Sequence, residues 1–363
     1  METFSGQDRP DGPADGSRAP AVRRPTMKDV AALAGVSLST VSRVVNGGPV
    51  DPGLAERVRD AARLLGYRRD HTASMLRRAD RQSASIGLVW EDVSNPFFSA
   101  IHRGVEEVAR ERGVLTFVGS SDEDPERERM LADAFSARGV DGLVIAPAGR
   151  DESYLVRDRE AGVALVFVDR PPQLIDADAV VSDNAGGAGM AVAHLIAAGH
   201  RRIGFLGDRP ELYTAAERLR GYRRALTRHG IDEDPSLVRH PHHEGVSTYE
   251  ATRELLLGAD PPTAIFTSQN LITISAVAAL HDLRKQHQVA HVGFDDVELA
   301  DVVDPGVSVV AQDPVALGHH AAELLLSRLD GEYGPSRQVV IPTKLIERGS
   351  GELPGARASP PNP

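Results

Sequence analysis

The chain has no cysteine, so neither a disulfide nor a thiolate metal site can hold its fold. Only three of its 41 basic residues are lysines, Lys28, Lys285 and Lys344. That bias reflects GC-rich coding more than mechanism. No apolar run approaches membrane-spanning length, and the N-terminus carries no apolar signal core, so a cytoplasmic protein without membrane contact is expected. What is present is length: 363 residues are enough for two or three domains with real cores. The net charge of −11 by itself argues against nucleic acid, but its distribution reverses the argument. Residues 23–82 hold 12 Lys/Arg against 6 Asp/Glu, a net of +6, and the remainder carries −17. A basic head on an acidic body suits a protein whose head alone meets DNA phosphates.

The most informative stretch is Thr26 to Asn46, TMKDVAALAGVSLSTVSRVVN. Thr26 and Asp29 form a T-x-x-D helix start, in which hydroxyl and carboxylate satisfy each other's backbone N–H. The spacing predicts a helix over Met27 to Leu33, a turn at Ala34-Gly35-Val36 and a second helix over Leu38 to Asn46, capped by Ser37. On the second helix Val41, Val44 and Val45 share one face and Leu38, Ser39, Ser42 and Arg43 the other. A third helix is expected from Leu54 to Leu65, ending at Gly66. By spacing alone the pair is either an ordinary helical hairpin or a helix-turn-helix whose polar face enters a major groove.

From about Ser85 short apolar runs alternate with helical patterns. Strands are expected at Ile86–Trp90, Leu115–Gly119, Gly142–Ala146, Ala164–Val168, Ile203–Gly207, Ala264–Thr267 and Val289–Phe294. Helices are expected at Phe97–Arg110, Pro125–Arg138, Gly187–Ala198, Ala215–His229, Val246–Leu257, Ile272–Leu283 and Val315–Leu329. Such alternation reads as parallel sheets covered on both faces, and the number of units suits two sheets better than one.

The segment Ala31 through Asn46 closely resembles the DNA-reading head of the LacI/GalR family of bacterial transcription regulators. Residues 85–349 resemble that family's effector-binding core through N-P-F-F (Asn95 to Phe98), H-L-x-x-x-G-H-R-R-I (His194 to Ile203), V-G-F-D-D (Val292 to Asp296) and L-I-E-R-G-S (Leu345 to Ser350). The expected α/β architecture is an all-α helix-turn-helix head with a hinge helix, then a periplasmic-binding-protein-like core of two doubly wound parallel-sheet lobes. The boundaries expected are a disordered tail over 1–24, the head over 25–68 and a hinge helix or linker over 69–83. The core follows over 84–349, with one lobe from 84–183 plus 314–337 and the other from 184–311 plus 338–349. Residues 350–363 are expected to be a loose tail.

Leu38, Ser39, Ser42 and Arg43 are the base-reading candidates: Arg pairs bidentately with guanine, Ser is permissive and Leu packs on an apolar edge. Thr26, Ser37, Thr40 and Asn46 are better placed for phosphates, which position without specifying. The resemblance implies that Leu76 wedges into a central minor-groove step, with the small Ala73 one turn earlier, in a hinge that folds when two protomers meet on DNA. Arg69-Asp70 replaces the Pro-Asn common before that hinge.

A ligand cleft is expected between the lobes, at the C-terminal ends of strands. Glu91 and Asp92 follow the first strand, and Asp92 joins the predicted effector contacts. By resemblance Asp169, Arg218, Asn270, Asp295 and Gln312 match the polar contacts, and Phe97 and Phe98 an aromatic wall. Carboxylates, an amide and an Arg suit vicinal hydroxyls, so a sugar-like effector is the first reading and a purine-like co-repressor the second. Leu271, where the family often has Asp, points to a more apolar pocket. Gly186-Gly187-x-Gly189 fits neither Rossmann nor Walker patterns and reads as structural. The adjacent pairs His242-His243 and His319-His320 diverge too much to chelate, so no metal and no cofactor are expected. No activated nucleophile accompanies Asp295-Asp296, so an enzyme is not expected. A transport solute-binding protein would share the core but not the basic head. The reading is a homodimeric DNA-binding regulator, a repressor of carbohydrate-utilisation genes acting on double-stranded operator DNA. A sugar-responsive activator is the variant.

Overall fold

The computed structural model describes residues 25–45, 47–67 and 83–355, apart from the His242 side chain. The expectations for the tail over 1–24, for Asn46, for the hinge with Ala73 and Leu76, and for 356–363 lie outside these residues. The chain divides into two compact units, Met1–Arg81 and Gln82–Pro363.

Among its described residues the first unit holds three helices: α1 (Met27–Ala34), α2 (Leu38–Val45) and α3 (Pro52–Leu65). Thr26 and Asp29 form the expected reciprocal cap on α1, and Gly35 ends that helix in the left-handed conformation at φ 62°. The α2 start is held by the Ser37 hydroxyl, which accepts from the Thr40 N–H at 3.2 Å. α3 begins two residues before the expected Leu54. Asp51 accepts from Gly53 and Leu54 N–H at 3.0 and 3.1 Å, and Pro52 fits a first turn that needs no N–H. Val30, Ala31, Ala34, Val41, Val58 and Ala61 form the core. Arg57 of α3 donates to the Ala34 carbonyl at 2.5 Å, satisfying an end of α1 that has no partner within the helix.

The second unit runs β1 (Ser85–Trp90), α4 (Pro96–Glu111), β2 (Leu115–Ser120), α5 (Pro125–Ser136), β3 (Gly142–Ile145), α6 (Val156–Glu160), β4 (Ala164–Val168) and β5 (Asp178–Ser182). It continues with α7 (Asn184–Ala197), β6 (Ile203–Leu206), α8 (Tyr213–Arg228), β7 (Val238–Arg239), α9 (Pro241–Glu244), α10 (Thr248–Leu257), β8 (Ala264–Thr267), α11 (Asn270–Asp282) and β9 (Ala290–Phe294). It closes with β10 (Ser308–Ala311), α12 (Pro314–Leu329), β11 (Gln338–Ile341) and β12 (Lys344–Ile346). The strands form two six-stranded sheets, ordered β11-β5-β4-β3-β1-β2 and β12-β10-β9-β8-β6-β7. All pairings are parallel except β10 with β12. β1, β3, β8 and β9 are buried along their whole length, as a sheet covered on both faces requires.

Two boundaries expected from sequence move. Gln338–Ile341 does not join the second lobe: it pairs with β5 in the first sheet. The reason is the buried Asp178 at the start of β5, which takes Arg328 of α12 bidentately at 2.8 Å and the Arg337 N–H at 2.7 Å. That ties β11 to the edge that α12 already covers, so the third crossing falls at 342–343. The expected start of a loose tail at residue 350 also fails. Ser350 is buried, donates from Oγ to the His291 carbonyl at 2.6 Å and accepts from the Ser308 N–H at 2.9 Å. His194 meets Glu352 at 2.7 Å and His200 meets the Leu353 carbonyl at 2.9 Å. Residues 350–355 are therefore part of the second lobe.

Helices cross closely where glycines allow it. A Cβ on Gly104 of α4 would lie 2.3 Å from the Val315 carbonyl oxygen, and one on Gly318 of α12 would lie 2.2 Å from that of Ile101. Backbone oxygens cannot step aside as side chains can. Gly104→Val is expected to destabilise by about 3 kcal/mol, seen as a melting temperature roughly 6–12 °C lower at about 2–4 °C per kcal/mol. An unchanged melting temperature would contradict this packing. The Gly186-Gly187-x-Gly189 run is structural in the same sense: a Cβ on Gly187 would meet Thr343 Oγ1 at 2.6 Å.

Candidate functional site

On α2, Leu38, Ser39 and Arg43 are exposed, Leu38 at 44 %, while Val41 is fully buried beneath them and Ser42 is half-buried. The helix thus presents a short polar face with one guanidinium and one apolar group. Ser37, Ser39 and Thr40 share hydroxyl hydrogen bonds at 2.8 and 2.9 Å, which fixes their rotamers at the start of α2. The Thr26 hydroxyl donates to Asp29 Oδ2 at 2.7 Å, so its first role is to cap α1.

In the second unit a narrow cleft opens between the lobes, at the C-terminal ends of β1, β4, β6, β8 and β9. Phe97, Phe98, Asp169, Arg218, Asn270, Asp295 and Gln312 line it, so seven of the eight predicted effector residues converge. The exception is Asp92. Its carboxylate turns back to the Ser94 N–H and hydroxyl at 2.8 and 2.7 Å, and its neighbour Glu91 lines the cleft instead. One residue along an extended segment reverses the side-chain direction, and the sequence does not say where β1 stops. Phe98 is mostly core, stacked on Trp90 with ring centres 6.2 Å apart. Leu271 does not line the cleft but sits exposed on α11, so the more apolar pocket expected from it does not arise.

Asp169 and Asp295 occupy matching places in the two lobes. Each follows the last residue of its strand, β4 or β9, with positive φ, 68° and 71°. Each donates its N–H across to the neighbouring strand at 2.9 Å, to Val180 and Val310 respectively. Aspartate tolerates this left-handed conformation better than most residues, and it aims both carboxylates into the cleft. Asp295 accepts from the Asn270 N–H at 3.1 Å and from Gln312 Nε2 at 2.5 Å. Gln312 lies on the second crossover between the lobes. Burial pushes the Asp169 carboxyl above the usual range, against the pull of Arg170.

Arg218 is buried. It donates to Asn184 Oδ1 at 2.7 Å and to the Ser268 carbonyl at 2.6 Å, and its guanidinium lies 4.0 Å over the Phe294 ring. Asn95 caps α4 by accepting from the Phe97 N–H and also accepts from Asn270 Nδ2 at 2.7 Å, joining the two lobes inside the cleft. Arg170 bridges Glu91 and Glu123 at 3.0 and 2.9 Å. Burial and the Glu123 carboxylate hold Glu91 well above the usual carboxylate range. Several buried polar atoms here make no hydrogen bond: Asp169 Oδ1, Arg170 Nε (3.5 Å from Asp169 Oδ2), Ser268 Oγ and Gln312 Oε1. Buried polar atoms are rarely left so. Two acceptors and two potential donors around one cleft fit a ligand bearing several hydroxyls.

Sequence reasoning passed over Asn95, Arg170, Asp208 and Gln269 as site residues. Arg170 and Asp208 follow strands within two residues, which was the available signal. Asn95 and Gln269 read locally as helix caps and gave none. Asp296, one residue beyond Asp295, is instead held by Arg348 at 2.7 and 2.8 Å. The pairs His319–Glu107 and His320–Glu323 are isolated contacts at 3.1 and 3.3 Å.

Residues 26–70 match the family described as bacterial regulatory proteins, lacI family, and residues 192–351 match the periplasmic binding protein-like domain. The chain is 34 % identical over 339 residues to the HTH-type transcriptional regulator CelR of Thermobifida fusca, covering 91 % of this chain and 99 % of that one. It is 30 % identical to the HTH-type transcriptional repressor CytR of Escherichia coli strain K12, covering 90 % and 96 %. Among solved structures, the CelR–cellobiose complex is 32 % identical with a TM-score of 0.66 over 90 % of this chain and all of that one. The lac repressor dimer bound to operator and the anti-inducer ONPF is 25 % identical with a TM-score of 0.79, over 91 % and 99 %. The chain belongs to the lacI family of bacterial transcription regulators.

Proposed function

We propose that this regulator is a repressor of carbohydrate-utilisation genes that binds operator DNA as a homodimer and is controlled by a sugar-like effector between its lobes. The observation that carries the effector reading is the matched pair Asp169 and Asp295, facing one cleft from two lobes beside unpartnered acceptors and donors. Relatives support the class: one solved relative is a cellobiose complex, and a ribose operon repressor of Escherichia coli strain K12 is 30 % identical over 329 residues. An effector touching both lobes favours one lobe arrangement by its differential affinity, and that difference is what it can pass to the head.

The dimer reading is supported by apolar side chains left in water. Leu115, Phe117 and Val118 on the edge strand β2 and Met130 on α5 are exposed, as are Leu257 on α10 and Leu271 and Ile274 on α11. Clustered exposed apolar residues of this kind mark interaction surfaces more than solvated ones.

For DNA, Leu38, Ser39, Ser42 and Arg43 are the proposed base readers, with Thr26, Ser37, Thr40 and Asn46 on phosphates. The hinge residues Ala73 and Leu76 keep their proposed minor-groove role. Arg43 is on an exposed helix face with no part in the core, so its removal tests recognition without touching folding. Selection from a random duplex library with the full-length protein should enrich a two-fold symmetric site. Arg43→Ala should then lose about 1–3 kcal/mol per half-site and relax one guanine position. Unchanged affinity and sequence preference would remove Arg43 from the reading set.

A further inference from the structure

Beside the inner cleft lies a second compartment of about 460 Å³ between the lobes. Pro147, Arg150 and Pro171 wall it on the first lobe, and Arg209, Leu212 and Tyr213 on the second. Arg170 borders both spaces, which sets them side by side. The Arg170 guanidinium is buried, and its Nε, 3.5 Å from Asp169 Oδ2, makes no hydrogen bond.

The walls of the outer compartment are held in place by two buried acids that the inner site does not use. Glu128 accepts from the Ala148 N–H at 2.5 Å and from the Tyr154 hydroxyl at 2.6 Å. Glu152 accepts from the Gln173 and Leu174 N–H groups at 3.2 and 3.1 Å. Both acids are almost fully shielded from water. Burying a carboxylate is unfavourable unless its lone pairs are satisfied; Glu128 satisfies both oxygens by fixing irregular loops, and Glu152 does so with Oε2 while its Oε1 makes no hydrogen bond. Fixed loops are what a site needs and what a mere gap between lobes does not.

The chemistry of the walls selects the occupant. Tyr213 and the two prolines offer flat apolar faces. Arg150 Nε and the NH2 nitrogen reach across the lobes to the Glu211 carbonyl at 3.3 and 2.9 Å, and among the described residues the guanidinium has no carboxylate partner. The other two cations share one carboxylate, Glu123, which takes both Arg170 and Arg209. A donor-rich space with an aromatic face suits a polyhydroxylated ring.

We propose that the effector has at least two sugar rings, one in the inner cleft and the next in the outer compartment against Tyr213, with Arg150 donating to its hydroxyls. This rests on the sugar-effector reading above. Because the outer walls come from both lobes, the second ring adds to the preference for the closed arrangement.

Titration calorimetry on the full-length protein tests it, with glucose and ribose as single rings and cellobiose and maltose as two-ring probes. A two-ring probe should bind at least about tenfold tighter than glucose. Tyr213→Ala and Arg150→Ala should each erase most of that gain while leaving the single-ring affinity within about twofold. Arg150 is exposed, so its variant guards against a folding failure at Tyr213. Equal affinity for one and two rings, a gain that survives both substitutions, or a loss shared by single- and two-ring probes would each overturn the second subsite alone. Binding of no saccharide at all would overturn the sugar reading, and this inference with it.

Discussion

Asp169→Asn is expected to remove most effector affinity, about 1.5–3 kcal/mol or roughly ten- to a hundredfold, while the unliganded protein stays as stable or becomes more so. Asn keeps the size of the side chain and tolerates the positive φ of 68°. What it removes is charge. The Asp169 carboxyl is buried, and burial raises its pKa. A raised folded-state pKa means that the folded protein holds its proton more tightly than the unfolded chain. Stability from this group is present below the ordinary aspartate pKa and lost as pH rises through the raised value. Above the ordinary aspartate pKa the group therefore works against folding, and the amide relieves it. Arg170 is not stranded, because Glu91 and Glu123 remain on it. Ligand-binding residues that oppose stability in the empty state are a recurrent trade-off. Calorimetric titration with a sugar that shifts the wild-type melting curve, together with the unliganded melting temperature, checks both halves. A lower melting temperature with affinity intact would place Asp169 among structural residues.

Arg218→Leu is expected to fail in the opposite way, by unmaking the second lobe's side of the cleft. The guanidinium joins α8 to Asn184 at the start of α7, to the Ser268 carbonyl beyond β8 and to the Phe294 face at the end of β9. Asp295 Oδ2 lies 4.0 Å from it. Leucine fills part of the space but leaves the Ser268 carbonyl and Asn184 Oδ1 without their donor and a nearby carboxylate without its cation. Breaking a buried charged cluster by removing one member costs about 3–5 kcal/mol. At about 2–4 °C per kcal/mol the melting temperature should fall by roughly 6–20 °C, and effector binding should be lost with it. Arg218→Lys restores a charge but not the fork that reaches three partners, so it should recover stability only in part. If Arg218→Leu melted like the wild type, the guanidinium would be a ligand contact alone.

These two residues illustrate what was legible in the sequence. Both were predicted to face the effector, and the structure brings both to the cleft. Their opposite expected effects on stability could not be predicted, because they depend on whether the buried neighbours are satisfied without them. Glu91 and Asp92 make the same point at shorter range. The sequence placed an acid after β1, but which of two adjacent acids enters the cleft depends on the residue at which the strand ends.

By itself the sequence determined the features set by neighbours within a turn or two of chain. The Thr26–Asp29 cap, the Gly35 turn, the split of α2 into a valine face and a polar face, and strands such as Ile86–Trp90 rest on contacts a few residues long and on apolar periodicity. The strands it missed, β5, β7, β10, β11 and β12, are two to five residues long, too short to stand out without the sheet that receives them. Tertiary structure alone decided the rest. Asp178 drew β11 to the first sheet, Ser350 and Glu352 closed the second lobe, and Asn95 met Asn270 across 175 residues of chain. It also left Asp169 Oδ1 and Arg170 Nε buried without a hydrogen bond and opened the outer compartment beside them. The physical reason is that a buried charge or an unsatisfied polar atom is a property of the surroundings, and the surroundings of this cleft come from two lobes that the chain crosses between three times.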